Sequence, residues 1–403
     1  MTQRIYYTDP YCVSFEAVVT RAFTHEGHPA VALDRTAFYP TSGGQPFDTG
    51  RVGGARVIDV IDAEDGTIAH VLDSPLGEGA RVDGAIDWAR RFDHMQQHTG
   101  QHVLSAAFDH LFANRTMSFH MSGDVATIDL APDAAPDAIE AAERDANRVV
   151  WEDRPVSIRF ASAEEAATLK LRKEPARGGT LRLIDVTDFD LSACGGTHVA
   201  RTGAIGMIAV SAWERFRGGT RVTFVCGNRA LRMFRSYRDA MTGSIRSLSV
   251  LPGELPAAID RMQAESKELR RAVKSMQEAL ATHEAARLVA EAPVVSGVRI
   301  IARALSGWDA PGLKAIAVAA TASERVAAAL FSTASPVVAV IARSRDVKAD
   351  AYSVLRALVG EFGGRGGGKA DLAQGGGFEG DVNRMVAMAH AALQDQATID
   401  TVA

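Results

Sequence analysis

The sequence predicts an α+β protein in four successive parts. These are an N-terminal β-barrel over 1–87, an α+β domain over 88–250, a helical coiled-coil stalk over 251–292 and a small α/β glycine-rich domain over 293–403. Three observations carry this. Short apolar runs broken by turn residues crowd the first part. Helical and strand periodicities then mix without a strict βαβ rhythm. An apolar seam stepping by three and four separates that mixture from an Ala/Val-rich tail. At 403 residues the chain exceeds one ordinary domain of about 100–200 residues, so two or three are expected.

In the first part, FEAVV, AVAL, ARVIDVID, TIAHVL and VDGAID are separated by Pro, Gly and Asp-Gly, the signature of short strands in a barrel or sheet. Residues 88–113 then read as a helix, and 131–150 as a second, with Asp133 or Asp137 as candidate caps. IRF, LRLIDV, IGMIAV and RVTFVC read as strands. Residues 228–250 read as a helix ended by Pro252, and 255–290 as a longer one. On the longer helix Ile259, Met262, Ser266, Leu269, Val273, Met276, Leu280 and His283 form a heptad seam. Such a seam pairs with another helix, either in a second copy, making a homodimer, or in a hairpin within the chain. In the tail VRIIAR, AALFS and VVAVIAR read as buried strands, and DAYSVLRALVGEF and DVNRMVAMAHAAL as helices.

Composition narrows the class. Hydrophobic residues are 47% and charged residues 23%, which reads as globular and soluble. No window of about 18 apolar residues could span a membrane. The N-terminus, MTQRIYYTDPYCV, lacks the order of a secretory signal, and Cys12, Cys194 and Cys226 are too few for a disulfide framework, so a cytoplasmic setting is expected. The net charge of −5 argues against a general polyanion binder. Local basic groups remain: Lys170, Arg172, Lys173, Arg177 and Arg182, then Arg215, Arg217 and Arg221, whose simplest reading is a solvated face.

Two pairs of residues carry the chemistry. His94, His98 and His102 stand four apart on the first helix and project from one face, so either neighbouring pair can grip one metal ion. Downstream, ACGGTHV places Cys194 and His198 four apart around two glycines. Thiolate with imidazole suits zinc better than magnesium or calcium, which prefer oxygen. The glycine-rich stretch GGRGGGKADLAQGGG has Gly363, Gly368 and Lys369 in phosphate-loop spacing, but Ala370 offers no hydroxyl for magnesium. Its bare backbone N–H groups could instead hold RNA phosphates. No G-x-S-x-G elbow is present, which disfavours a serine hydrolase.

HTGQH (98–102) with CGGTH (194–198) resembles the editing domain of alanyl-tRNA synthetases and the free-standing AlaX proteins, and TAFYPTSGGQPFDTG (36–50) is similar to that family's N-terminal motif. GGRGGGKADLAQGGG resembles the C-terminal glycine-rich domain of the same synthetases, the one associated with DHH proteins. Beginning at the barrel, with no aminoacylation domain ahead of it, the chain resembles the long form of AlaX, a protein that edits alanine tRNA in trans. The resemblance implies one zinc ion held by His98, His102, Cys194 and His198, with His94 spare. It implies that Thr36 and the Gly43-Gly44-Gln45 turn face the amino acid, and that Gly366, Gly367 and Lys369 contact the RNA. Gln101 departs from the Thr or Ser usual before the second histidine.

The implied reaction is hydrolysis of serine, or glycine, from alanine tRNA. Thr36, Gln45 and Gln101 are the candidate catalytic groups, Thr36 by bonding the serine hydroxyl that alanine lacks. Four protein ligands are the count of a closed zinc site. A displaceable ligand, a five-coordinate ion and a zinc that merely positions the RNA end all remain open. In the last, a ribose hydroxyl or Gln45 would assist the water. The competing readings are a zinc-stapled RNA-binding protein without catalysis and a zinc hydrolase of a small ester.

Overall fold

A computed structural model describes residues 1–172 and 180–397. The chain separates into two compact units, Met1–Ser244 and Ile245–Ala403.

The first unit opens with a closed six-stranded barrel. Around it run Ser14–His25, His28–Leu33, Ile68–Leu72, Ala55–Asp62, Gly50–Val52 and Arg81–Ile86, every pair antiparallel. Arg81–Ile86 alternates exposed and buried residues, as a strand with one wet face must, whereas Ile68–Leu72 is buried throughout. Val19, Leu33, Phe38, Val60, Ile68 and Leu72 fill the interior.

Asp87 then caps helix α1 (Trp88–Phe112), its side chain accepting the Arg90 N–H. This helix is the spine of the unit: Met95 to Phe108 are all buried, and Ala113 closes it in the left-handed conformation. Helix α2 (Pro136–Trp151) packs on it through Ile139, Ala142, Ala146 and Val149. Neither Asp133 nor Asp137 caps α2. Ala135 holds that position without a side-chain bond, because Pro136 occupies the first turn and Asp137 sits inside it.

A four-stranded antiparallel sheet runs in the order Ile208–Phe216, Gly219–Cys226, Ala126–Ala131, Arg115–Met121. A three-stranded sheet of Val156–Ala161, Leu181–Val186 and Asp190–Ala193 and a parallel pair, Gln3–Arg4 with Arg35–Thr36, complete the unit's described strands. Helix α3 (Ala163–Thr168) carries a Ser162–Glu165 capping box, and helix α4 is Asn228–Leu248. The strands Arg115–Met121, Ala126–Ala131 and Asp190–Ala193 escape the sequence pattern. The first is mostly half-exposed and polar, and the last is only four residues long.

In the second unit, helix α5 (Leu255–Glu291) precedes a six-stranded sheet. The order is Val294–Val295, Val298–Leu305, Val326–Ser332, Val337–Arg343, Leu372–Phe378, Arg365–Gly368. Its parallel pair, Val298–Leu305 with Val326–Ser332, is joined across helix α6 (Ala310–Thr321). Val326–Ser332 is buried at every position, as its unbroken apolar run requires in a sheet covered on both faces. One face packs on α6 and the end of α5. The other packs on α7 (Ala351–Phe362) and α8 (Val382–Gln396).

Two features differ from the sequence pattern. The glycine-rich stretch, to which the sequence pattern assigns no strand, is a β-hairpin, Arg365–Gly368 pairing with Leu372–Phe378 at the sheet edge. Helix α5 packs through Ala281, Ala285 and Leu288 rather than through its heptad seam. The apolar seam residues from Ile259 to Leu280 stay 37–71% exposed. Among the described residues no helix is long and apolar enough to cross a membrane.

Candidate metal centre

Four side chains converge between α1 and the loop after Asp190–Ala193. The ligand atoms of His98, His102, Cys194 and His198 all lie within 4.8 Å of one another, and all but the half-buried Cys194 are buried. The Cys194 Sγ stands 3.4 Å from both His98 Nε2 and His198 Nε2. A tetrahedral zinc with bonds of about 2.0–2.3 Å would separate its donor atoms by roughly 3.3–3.6 Å, a span that the two Cys194–imidazole distances match. His94, a turn earlier on the same helix, is not part of this cluster. It is buried, and its Nδ1 has no hydrogen-bond partner.

What orients the donors is a layer of hydrogen bonds behind them. His98 Nδ1 bonds Gln45 Oε1 at 2.8 Å, and His102 Nδ1 bonds Asp190 at 2.9 Å. His198 Nδ1 lies 3.2 Å from Thr99 Oγ1, whose own proton goes to the Met95 carbonyl. The Thr99 hydroxyl therefore accepts from His198, and each ring is left with Nε2 as its ligand atom. Asp190 is held in turn by Arg172 at 2.6 Å and by Ser192 at 3.0 Å. Burial would push the Cys194 thiol up, but the adjoining imidazoles outweigh it and hold it well below its ordinary value. Burial likewise opposes protonation of His102, and the bond to Asp190 overcomes it and raises the ring.

Close approach explains two glycines. A Cβ on Gly196 would lie 2.2 Å from His98 Cε1, and one on Gly44 would lie 2.5 Å from the Phe119 carbonyl oxygen. Gly43 and Gly44, at φ of +56° and +83°, form a tight turn closed by Ser42 and Gln45. This turn reaches the metal centre through Gln45 and through Phe119, whose ring lies 5.2 Å from His98.

The other sequence-predicted residues fall in distinct places. Gln45 has no exposed surface, and both ends of its amide are engaged. Oε1 accepts from His98 and the Thr197 N–H, and Nε2 donates to Thr197 Oγ1. Gln101 is buried and donates to Ser105 Oγ at 2.9 Å. Thr36 is closed to solvent, its Oγ1 2.8 Å from His70 Nε2 and accepting the Phe38 N–H at 3.0 Å. His70 Nδ1 faces the Val31 carbonyl and so carries the ring proton, which makes Thr36 the donor to Nε2. One acceptor lone pair of the Thr36 hydroxyl stays uncommitted. Gly366, Gly367 and Lys369 lie in the exposed edge hairpin of the second unit.

The basic groups do not form one solvated face. Arg172 pairs with Asp190, Arg221 with Asp129, and Arg182 is only 8% exposed. Lys170, Arg215 and Arg217 remain at the surface, and Lys173 and Arg177 lie outside the described residues. Sequence reasoning missed Asp190, Thr99 and Arg172. A carboxylate four residues before Cys194 was the available hint for the first of them.

Two buried histidines outside the cluster make stability pH-dependent. Burial depresses His70 to about 4, and burial with the nearby Arg90 depresses His94 to about 3. The unfolded chain takes up these protons near pH 6.5, so stability is complete above that and is lost as pH falls toward about 3–4. His94→Gln removes one such group. Between pH 6.5 and 4.5 it is expected to lose less stability than wild type, by up to about 1.4 kcal/mol per pH unit in denaturant titrations.

Comparison with known proteins gives two family matches. Residues 181–222 match the threonyl and alanyl tRNA synthetase second additional domain, and residues 297–395 match the DHHA1 domain. The chain is 30% identical over 388 residues to the alanyl-tRNA editing protein AlaX-L of Pyrococcus horikoshii, covering 93% of this chain and 94% of that one. It is 34% identical over 392 residues to the alanine–tRNA ligase of Methanoculleus marisnigri, covering 93% of this chain and 41% of the ligase. The chain thus spans about two fifths of the length of the ligases it matches. Among solved structures, the C-Ala domain of Aquifex aeolicus alanyl-tRNA synthetase matches at 24% identity with a TM-score of 0.24, covering 26% of this chain and 98% of that domain.

Proposed function

The chain belongs to the family of alanyl-tRNA editing proteins of the AlaX-L type, and we propose that it hydrolyses mischarged alanine tRNA in trans at a zinc ion held by His98, His102, Cys194 and His198. The observation that carries this reading is the convergence of those four donors, each imidazole fixed from behind by Gln45, Asp190 or Thr99. His98, His102, Cys194 and His198 would hold the zinc, which would supply a fixed positive charge for orienting the aminoacylated RNA end. Gln45 acts on this centre by holding His98 and the Thr197 N–H, rather than by carrying a water. The ester is labile, so a site that positions its carbonyl and excludes the wrong amino acids suffices.

We assign selection to Thr36. Its one uncommitted lone pair accepts the hydroxyl of serine, whereas alanine offers nothing to donate, and glycine enters because it is small. We assign tRNA contact in the second unit to Gly366, Gly367 and Lys369. Among the described residues the edge strand there has no sheet partner on its outer side, which leaves backbone N–H groups for phosphates. The domain limits 1–87, 88–250, 251–292 and 293–403 follow from this assignment, and the seam of α5 is offered to the same helix of a second copy.

The test is single-turnover deacylation of the seryl, glycyl and alanyl forms of one alanine tRNA. Wild type is expected to cleave the first two and spare the third. Cleavage of none refutes the reading and favours an RNA-binding protein stapled by its metal. Thr36→Val is expected to slow the seryl ester roughly threefold to hundredfold, as one lost hydrogen bond of about 0.5–3 kcal/mol dictates, with the glycyl ester little changed. A parallel fall in both rates would instead assign Thr36 to holding His70 and the Phe38 backbone.

A further inference from the structure

Among the described residues, Arg182 is a buried cation with no carboxylate partner. Its guanidinium spends its protons on three backbone carbonyls. Nε donates to Tyr7 at 2.9 Å, and Nη1 donates to both Cys194 at 2.7 Å and Gly196 at 2.9 Å. The backbone carbonyl of Arg182 also accepts the Cys194 N–H at 3.1 Å. The remaining nitrogen, Nη2, is buried without a partner among the described residues. Leaving a guanidinium out of water with no carboxylate to pair it is costly unless the contacts it makes are needed.

Those contacts bracket the metal loop. One nitrogen grips the carbonyls on either side of Gly195, while the Gly196 N–H turns the other way, onto Cys194 Sγ at 3.3 Å. The peptide between Gly196 and Thr197 is held at both ends, its carbonyl by Arg182 and its N–H by Gln45 Oε1. That same Oε1 accepts from His98 Nδ1. One side chain is therefore linked to Cys194 directly and to His98 through a single peptide and Gln45. The Tyr7 carbonyl ties it to the short helical turn Ile5–Tyr7 ahead of the barrel.

We propose that Arg182 is a positioning residue for the metal centre, setting the curvature of the Cys194–Gly196 turn and the orientation of His98 through its forked contacts. This deepens, and rests on, the reading that the four side chains hold a metal. Two features of arginine matter. Its planar fork reaches three carbonyls at once, and its charge stands beside a cysteine that ligates as thiolate. Lysine keeps the charge but cannot reproduce the fork.

The test measures zinc alone, by competition with a chelator, in Arg182→Lys and Arg182→Met. It is paired with the absorption spectrum of the cobalt(II)-substituted proteins and with circular dichroism to establish folding. Both variants are expected to bind zinc about 10- to 100-fold more weakly than wild type, the range typical of lost support behind a ligand. The thiolate-to-cobalt charge-transfer band is expected to weaken or shift, which a general loss of stability does not produce in a folded, fully loaded protein. Wild-type affinity and an unchanged cobalt spectrum in folded Arg182→Lys would overturn the positioning role, and this variant decides the matter if Arg182→Met fails to fold. A wild type that takes up neither metal would instead refute the metal site itself, an outcome separate from failure of the inference.

Discussion

Replacing Cys194 by alanine is expected to take zinc content from about one ion per chain to near zero, and to abolish deacylation beyond the roughly 10- to 100-fold seen when only a ligand's supporting partner is lost. Cys194 is the one sulfur in the cluster, and its Sγ lies 3.4 Å from the Nε2 of both His98 and His198. Removing it leaves three rings held by Gln45, Asp190 and Thr99 around an open corner. The core that surrounds α1 does not use Cys194, so circular dichroism should report a folded chain. Elemental analysis with single-turnover kinetics decides the result. Zinc retained at full stoichiometry in Cys194→Ala would move the site elsewhere, whereas His94→Ala should keep both metal and activity.

The largest effect on stability is expected at a buried ion pair away from the metal cluster. Arg91 on α1 and Asp48 in the segment after the tight turn are both fully buried. Arg91 also donates to the Pro10 carbonyl at 2.8 Å and the Ala37 carbonyl at 2.5 Å, and Asp48 accepts the Tyr39 N–H at 2.6 Å. One guanidinium thus ties the helix that carries the metal ligands to the barrel segment that carries Thr36 and Gln45. Arg91→Met leaves the Asp48 carboxylate buried without its cation, and is expected to cost about 3–5 kcal/mol. For a unit of this size that is a fall of roughly 6–20 °C in Tm. Arg91→Met combined with Asp48→Leu should recover much of the loss, because a matched apolar pair leaves no uncompensated charge. A single variant that unfolds within a degree of wild type would show that water reaches the carboxylate in solution.

The sequence by itself determined the kinds of groups and their local spacing. Period-two runs such as RVDGAI and the unbroken VAAALFS mark strands because burial on one face or on two leaves that trace in any chain. Likewise HTGQH and CGGTH mark candidate metal ligands, because a helical turn sets His98 beside His102 and glycines let the second segment bend. Spacing could not choose between His94 with His98 and His98 with His102, since both pairs are four apart. The choice comes from where Asp190, 88 residues beyond His102, meets the ring. Only the tertiary structure made Gln45 a support for His98, Thr99 a support for His198, and Arg182 a clamp rather than part of a basic face. Only there does the glycine-rich stretch become an edge hairpin, and the seam of α5 yield to Ala281, Ala285 and Leu288. Each of these depends on contacts between residues distant in sequence, and no local period or motif encodes which distant group will satisfy a buried nitrogen or cover an apolar face.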